Sequence, residues 1–228
     1  MKCPTYPLWE QVALPRVVSK IRPDLLHCTS NTAPIHCPVP LVLTLHDIIF
    51  LEPRQGGNRS WYQNMGWYYR RMVVPRILSQ CEKIITVSHF ECNRIREALQ
   101  LPKDKITAIY NGYSEHFRPL SETLSITRKY IDDDDYIFFL GNTDPKKNVA
   151  RTLKAYSLYL KQSDKKRPLL IADLSKDKLD AILREQQIEE IKPYLSYPGY
   201  IPNKDLAYLY NGAFVFLYTS LRESFGIP

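Results

Sequence analysis

Short runs that are apolar on both faces recur along the chain, and an amphipathic stretch separates each from the next. Asp24-Leu25-Leu26-His27, Leu41-Val42-Leu43-Thr44-Leu45-His46, Lys83-Ile84-Ile85-Thr86-Val87-Ser88 and Lys105-Ile106-Thr107-Ala108-Ile109-Tyr110 form one such set. A strand with one wet face alternates apolar and polar residues. A strand without that alternation must be covered on both sides, which is the condition of a parallel sheet flanked by helices. Helical patterns lie between these runs at about 9–22, 60–80 and 90–100. Pro40 stands at the entry of a strand and Pro102 just past a helix, positions where a missing N–H is tolerated.

A second set follows Phe117-Arg118-Pro119. Residues 119–135 are polar and contain no strand pattern. Strands are then expected at 136–140, 167–172, 194–200 and 213–218, with helices at 147–161, 176–188 and 203–211. The expected organisation is two α/β domains, 1–122 and 123–228. Both read as incomplete. The chain opens on a helix, Leu8 to Ile21, and stops at Pro228 in what reads as a loop entering a further helix.

Composition excludes several classes. With 44% apolar and 24% charged residues the chain has enough core-forming material to offset the entropy of ordering. No apolar run approaches the roughly 20 residues of a membrane-spanning helix, and the N-terminus lacks signal-peptide character. Five scattered cysteines point to reduced thiols and a cytoplasmic setting rather than a disulfide scaffold. The net charge of +7 has no basic tract behind it, so a nucleic-acid partner is not expected. His27-Cys28 and His36-Cys37 are adjacent pairs whose members point to opposite faces of a strand, and no zinc-finger spacing accompanies them. Ser88-His89 has no nucleophile elbow around it.

Three strand ends remain as candidate sites. Gly141-Asn142-Thr143-Asp144-Pro145-Lys146-Lys147-Asn148 joins a buried strand to a helix, where an open α/β sheet binds its ligands. It suits a phosphate or diphosphate, or else is a capped loop with solvated lysines. Glu223, in Ser220-Leu221-Arg222-Glu223-Ser224-Phe225-Gly226, either meets sugar hydroxyls or stabilises a helix dipole. The N–H groups of Phe225 and Gly226 would face an anion. His46-Asp47 ends a strand in the first half, as a structural or a functional histidine. The aromatic and arginine-bearing segment Trp61 to Met72 has two readings, a helix packing inward or a face toward an amphipathic acceptor or membrane surface.

Taken in order, Thr44-Leu45-His46-Asp47, Ile85-Thr86-Val87-Ser88, Tyr110-Asn111-Gly112, Phe139-Leu140-Gly141, Pro145-Lys146-Lys147-Asn148, Pro198-Gly199-Tyr200-Ile201 and Glu223-Ser224-Phe225-Gly226-Ile227-Pro228 resemble the retaining glycosyltransferases of family 4. Within that family the likeness is to bacterial mannosyltransferases of polysaccharide assembly. The resemblance implies a GT-B architecture of two Rossmann-like domains facing a cleft. It implies transfer of a hexosyl group, mannosyl in the bacterial enzymes, from a nucleoside diphosphate sugar to a glycan or lipid-linked acceptor with retention. No metal or other cofactor is implied, and peripheral membrane contact is carried as a partner expectation. By the same resemblance Lys147 binds the diphosphate and Glu223 contacts the donor sugar. His46 reaches the sugar from the first domain, and Tyr200 and Ile201 meet the nucleobase. Gly141, Asn142, Lys146, Ser224, Phe225 and Gly226 complete the donor site. Asn142 stands where relatives carry arginine, so Lys146 is expected to supply that charge. The second glutamate of the family's E-x7-E motif would fall beyond Pro228. A non-catalytic nucleotide-binding or interaction module is the competing expectation.

Overall fold

The computed structural model describes residues 4–53, 61–142 and 144–227, without the side chains of Tyr62 and Gln63. Thr143 and Pro228, both named above, and Cys3, one of the five cysteines, lie outside the described residues. Two compact units divide the chain, Met1–Gly112 and Tyr113–Pro228.

In the first unit Tyr6–Leu8 (α1), a π-helical turn Trp9–Ala13 and Leu14–Ile21 (α2) follow without a break. The π turn has a covalent cause. Pro15 has no N–H to donate, and the Leu14 N–H just before it reaches back to the Trp9 carbonyl, one residue further than an α-helix requires. The strands β1 (Leu26–Cys28), β2 (Leu41–Thr44), β3 (Cys81–Thr86) and β4 (Ile106–Ala108) pair side by side in that order, all parallel. Helix α3 (Trp61–Ile77) connects β2 to β3, and α4 (His89–Leu99) connects β3 to β4. Leu41, Leu43, Leu45, Val73, Val74, Ile77, Ile84 and Ile95 form the centre of the core and are closed to solvent. Burial of side chains this size contributes about 1.5–3 kcal/mol each.

The aromatic segment divides between core and surface. Trp67 and Tyr69 pack against the core, whereas Trp61, Tyr68 and Met72 face outward. Arg71 lies 4.5 Å over the Trp67 ring and donates to the Phe50 and Leu51 carbonyls, each at 3.2 Å. Ser88 caps α4, its hydroxyl accepting the Glu91 N–H at 3.1 Å. That bond accounts for the Ser88-His89 pair in structural terms.

In the second unit β5 (Ile137–Leu140), β6 (Leu169–Ala172), β7 (Leu195–Gly199) and β8 (Val215–Leu217) form a parallel sheet in the order β7-β6-β5-β8. Every residue of β6 is buried. Alternate residues face opposite sides. Ile137, Phe139, Leu169 and Ile171 pack on α6 (Val149–Gln162) and α7 (Lys176–Gln186), while Phe138, Leu170 and Ala172 pack with Leu209 of α8 (Asn203–Gly212). The polar stretch before β5 contains a short helix, α5 (Leu124–Thr127), whose Thr127 is buried.

The division falls ahead of the 122/123 boundary drawn from sequence, and side chains on α8 give the reason. Asn211 accepts the Leu120 N–H and donates to the Arg118 carbonyl, both at 3.0 Å. The His116 ring bonds the Lys204 carbonyl at 3.0 Å, and Phe117 meets the Tyr210 ring edge-on. Residues 113–122 therefore pack as part of the second unit.

Candidate functional site

The strand order of the second unit contains a switch point. From β5 the chain winds outward through β6 to β7, then returns to the other side of β5 as β8. Loops leaving β5 and β8 diverge at such a switch point, and open α/β sheets bind ligands there. Both candidate loops of this half, 141–148 and 218–226, leave these two neighbouring strands.

The first loop is built by close contact and local capping. Gly141 follows β5 with its N–H on the Ala172 carbonyl at 2.8 Å, and a Cβ there would meet that same oxygen at 3.1 Å. Only glycine fits without displacement. Asn142 is exposed, and its side-chain oxygen accepts the Asp144 N–H at 2.9 Å. The Asp144 carboxylate accepts the Lys146 N–H at 3.0 Å. A single 3-10 turn, Pro145–Lys147, leads into Asn148, whose φ of 60° starts α6 from the left-handed region.

Hydrogen bonds from this loop and from the first turns of α6 then tie it to the second one. Lys146 accepts the Leu221 N–H at its carbonyl (2.8 Å), and Asn148 donates its amide to the Thr219 carbonyl (3.2 Å). The hydroxyls of Thr152 and Thr219 meet at 2.6 Å. Lys147 Nζ donates to Glu223 Oε1 at 2.7 Å and lies 5.4 Å from the centre of the Tyr218 ring. Both members of this ion pair keep about a fifth of their side-chain surface, at 23% and 21%. Burial pushes the Glu223 carboxyl up, but hydrogen bonds from Lys147 and Ser220 and the charges of Lys147 and Lys146 outweigh it. The net effect holds Glu223 below the ordinary carboxylate value. Tyr218 moves the other way, raised by burial and by the charge of Glu223.

Ser224 and Phe225 are half-buried beyond Glu223, and Gly226 is exposed with φ at 92°. Residues 218–227 form bends and extended chain rather than a helix. Gly226 takes the left-handed backbone that glycine adopts without steric cost. At the end of β7, Tyr200 is 78% exposed while Ile201 is buried. The Ile201 N–H is held by the Asp173 carboxyl.

Sequence reasoning missed Asp173, Tyr218 and Thr219. Asp173 ends β6 in the left-handed region with φ at 59°, and its N–H donates to the Gly199 carbonyl at 2.8 Å. Desolvation by the adjoining loops raises its carboxyl, and the Ile201 N–H offsets only part of the rise. An aspartate following Leu-Leu-Ile-Ala at a strand end was the available signal.

In the first unit His46 stands just past β2, at the carboxyl edge of its sheet. Its N–H donates to the Asn31 side-chain oxygen at 2.6 Å, and its ring Nε2 lies 2.8 Å from the Thr29 carbonyl. His27 instead bonds the Thr44 hydroxyl at 2.9 Å. Among the described residues no three His, Cys, Asp or Glu side chains converge on a metal-sized site.

The family model described as Glycosyltransferase Family 4 matches residues 2–116, and that described as Glycosyl transferases group 1 matches residues 124–228. O-antigen chain mannosyltransferase B of Escherichia coli is 29% identical over 191 residues, which cover 82% of this chain and 49% of that protein. The serotype-specific mannosyltransferase WbdA of Escherichia coli is 25% identical over 240 residues, covering 96% of this chain and 28% of that protein. The chain thus spans about half the length, or less, of the curated relatives it matches. Among solved structures, a sucrose-phosphate synthase from Thermosynechococcus elongatus aligns with a TM-score of 0.69 at 16% identity, over 94% of this chain and 55% of that one. That likeness is one of fold, the α/β GT-B type expected from the sequence. Parallel sheets in the expected order of motifs, and a family model spanning the first half, lead to one conclusion: the chain belongs to glycosyltransferase family 4.

Proposed function

We propose that this chain binds a nucleoside diphosphate hexose and takes part in transferring the hexosyl group, mannosyl by its relatives, to a glycan or lipid-linked acceptor with retention. The observation that carries the reading is the Lys147–Glu223 pair at the β5/β8 switch point. It sets a cation for the diphosphate beside a carboxylate for the sugar hydroxyls, with charge and hydrogen bonding already in place. Lys146 supplies a second cation from the same turn, and Gly141 and Asn142 shape the loop that admits the phosphates. Ser224, Phe225 and Gly226 line the turn beyond Glu223, while Tyr200 and Ile201 stand where the base would lie. Two lysines give the leaving diphosphate its counter-charge, so the proposed reaction needs no metal cofactor.

His46 is proposed to meet the sugar from the first unit. In a retaining transfer of this type the acceptor hydroxyl approaches the face from which the diphosphate leaves. The anomeric carbon loses its bond to the phosphate oxygen and gains one to the acceptor oxygen, whose proton passes to the departing phosphate. Positioning then supplies much of the rate. Cytoplasmic residence with peripheral membrane contact belongs to the proposal. Exposed Trp61, Tyr68 and Met72 on α3, with Arg70 beside them, support it.

Calorimetry with a panel of nucleoside diphosphate sugars tests the donor site. Lys147→Ala is expected to weaken binding by about 1.5–3 kcal/mol, the range for a hydrogen bond to a charged group. Equal affinities would remove Lys147 from the site. With a labelled donor and acceptor, the product should keep the donor's anomeric configuration. His46→Ala and Glu223→Ala should each lower turnover at least about tenfold, or roughly 1.4 kcal/mol of transition-state stabilisation. Inverted product, or full turnover in both variants, sinks the assignment. Donor binding without turnover in the unaltered chain would favour a non-catalytic binding module.

A further inference from the structure

His46 is held at two points by the loop that follows β1. Its backbone N–H donates to Asn31 Oδ1 at 2.6 Å, and its ring Nε2 lies 2.8 Å from the Thr29 carbonyl. A carbonyl oxygen only accepts, so Nε2 must carry the hydrogen. In the neutral imidazole the lone pair then sits on Nδ1.

The loop that imposes this is itself anchored. Asn31 adopts the left-handed region, φ 62°, which asparagine tolerates better than most residues. Its N–H donates to the Thr44 carbonyl at 3.1 Å, fixing the loop to the end of β2. Thr32, buried, donates its hydroxyl to Glu10 at 2.7 Å, and Glu10 is itself only 2% exposed in the π turn of the first helix. The same carboxylate takes hydroxyl donors from Tyr6 at 2.7 Å and Tyr69 at 2.5 Å. A buried carboxylate satisfied by several donors rigidifies its surroundings, because losing any one of those bonds is costly.

We propose that Asn31 is a positioning residue for His46: it holds the His46 backbone so that the ring meets the Thr29 carbonyl through Nε2, and Nδ1 is the nitrogen offered to the ligand. The link to chemistry rests on the reading of His46 as a donor-sugar contact. The positioning itself rests on geometry within the first unit.

Imidazole nitrogen NMR of this chain at pH 8.5, where histidines are ordinarily neutral, tests it, with His46→Gln identifying the His46 signals. The unaltered protein should show His46 as the Nε2–H tautomer. Asn31→Gly keeps the left-handed backbone but removes the acceptor. With the backbone released, the ring loses its fixed approach to the Thr29 carbonyl, and the tautomer ratio should shift toward Nδ1–H by about fivefold, the ratio that one ordinary Nε2–H hydrogen bond supports. Asn31→Asp keeps the acceptor oxygen and should restore the ratio. His46 protonated at Nδ1 in the unaltered protein, which requires no variant to fold, overturns the proposal. So does an unchanged ratio in Asn31→Gly. Contact with the sugar is read separately, as the ratio of GDP-mannose to GDP affinity. If His46→Gln leaves that ratio unchanged, the sugar reading fails while the tautomer result stands.

Discussion

Glu223 shows how one side chain is set by competing effects. Partial burial alone would favour its neutral form, yet the Lys147 ammonium and the Ser220 hydroxyl favour the ionised one and prevail. A carboxyl whose folded value is depressed adds stability above its unfolded value, about 4.3 for glutamate. That stability is lost as the pH falls through the lower folded value. Urea unfolding at a series of pH values should show this for the ion pair. Glu223→Gln should be less stable than the unaltered chain at pH 7, and the gap should close below about pH 4.3. A gap that widens with acid would show that the pair is not holding the carboxylate. The lysine was legible in sequence as a cation near a strand end. Its partner 76 positions away was not, because the two meet only through the pairing of β5 with β8.

At the scale of elements, the junction of the 3-10 turn with α6 depends on Asn148. Its left-handed backbone lets the chain turn from Lys147 into the helix, and its amide fastens the turn to the Thr219 carbonyl. Left-handed geometry costs ordinary L-residues roughly 1–2 kcal/mol, and β-branched residues tolerate it worst. Asn148→Val should therefore destabilise the chain by about 2–3 kcal/mol, adding a lost hydrogen bond of about 1 kcal/mol to the backbone cost. Asn148→Gly should lose only the latter. Equal losses in chemical denaturation would mean that the dihedral carries no strain. The helices and strands themselves were readable from pattern, with strand ends falling within two residues of expectation and β3 beginning two residues earlier than expected. The π turn was not, since Pro15 announces a missing donor without saying how the helix absorbs it.

For the whole molecule, the allegiance of residues 113–122 is the feature with a direct consequence. These residues bond to α8 through Asn211 and Lys204 and pack Phe117 on Tyr210. A chain of residues 113–228 should fold as a cooperative unit, as a compact domain with its own core is expected to. Starting at 123 leaves Asn211 and Tyr210 uncovered, and should lower the melting temperature by several degrees, about 4–8 °C per kcal/mol for a domain near 100 residues. Identical melts for the two would return the boundary to 122/123.

Local chemistry by itself determined the strands, the helices between them, the Gly141 loop and the order of motifs that marks the family. Each depends on neighbours a few residues apart, whose hydrophobic period and turn propensity can be read directly. Only tertiary structure decided that β8 pairs with β5, so that Lys147 meets Glu223, that the linker docks on α8, and that a buried glutamate and Asn31 hold His46. Those outcomes join residues distant in sequence. They are set by which apolar faces and hydrogen-bonding groups can be satisfied together in space, a condition that no short window of sequence contains.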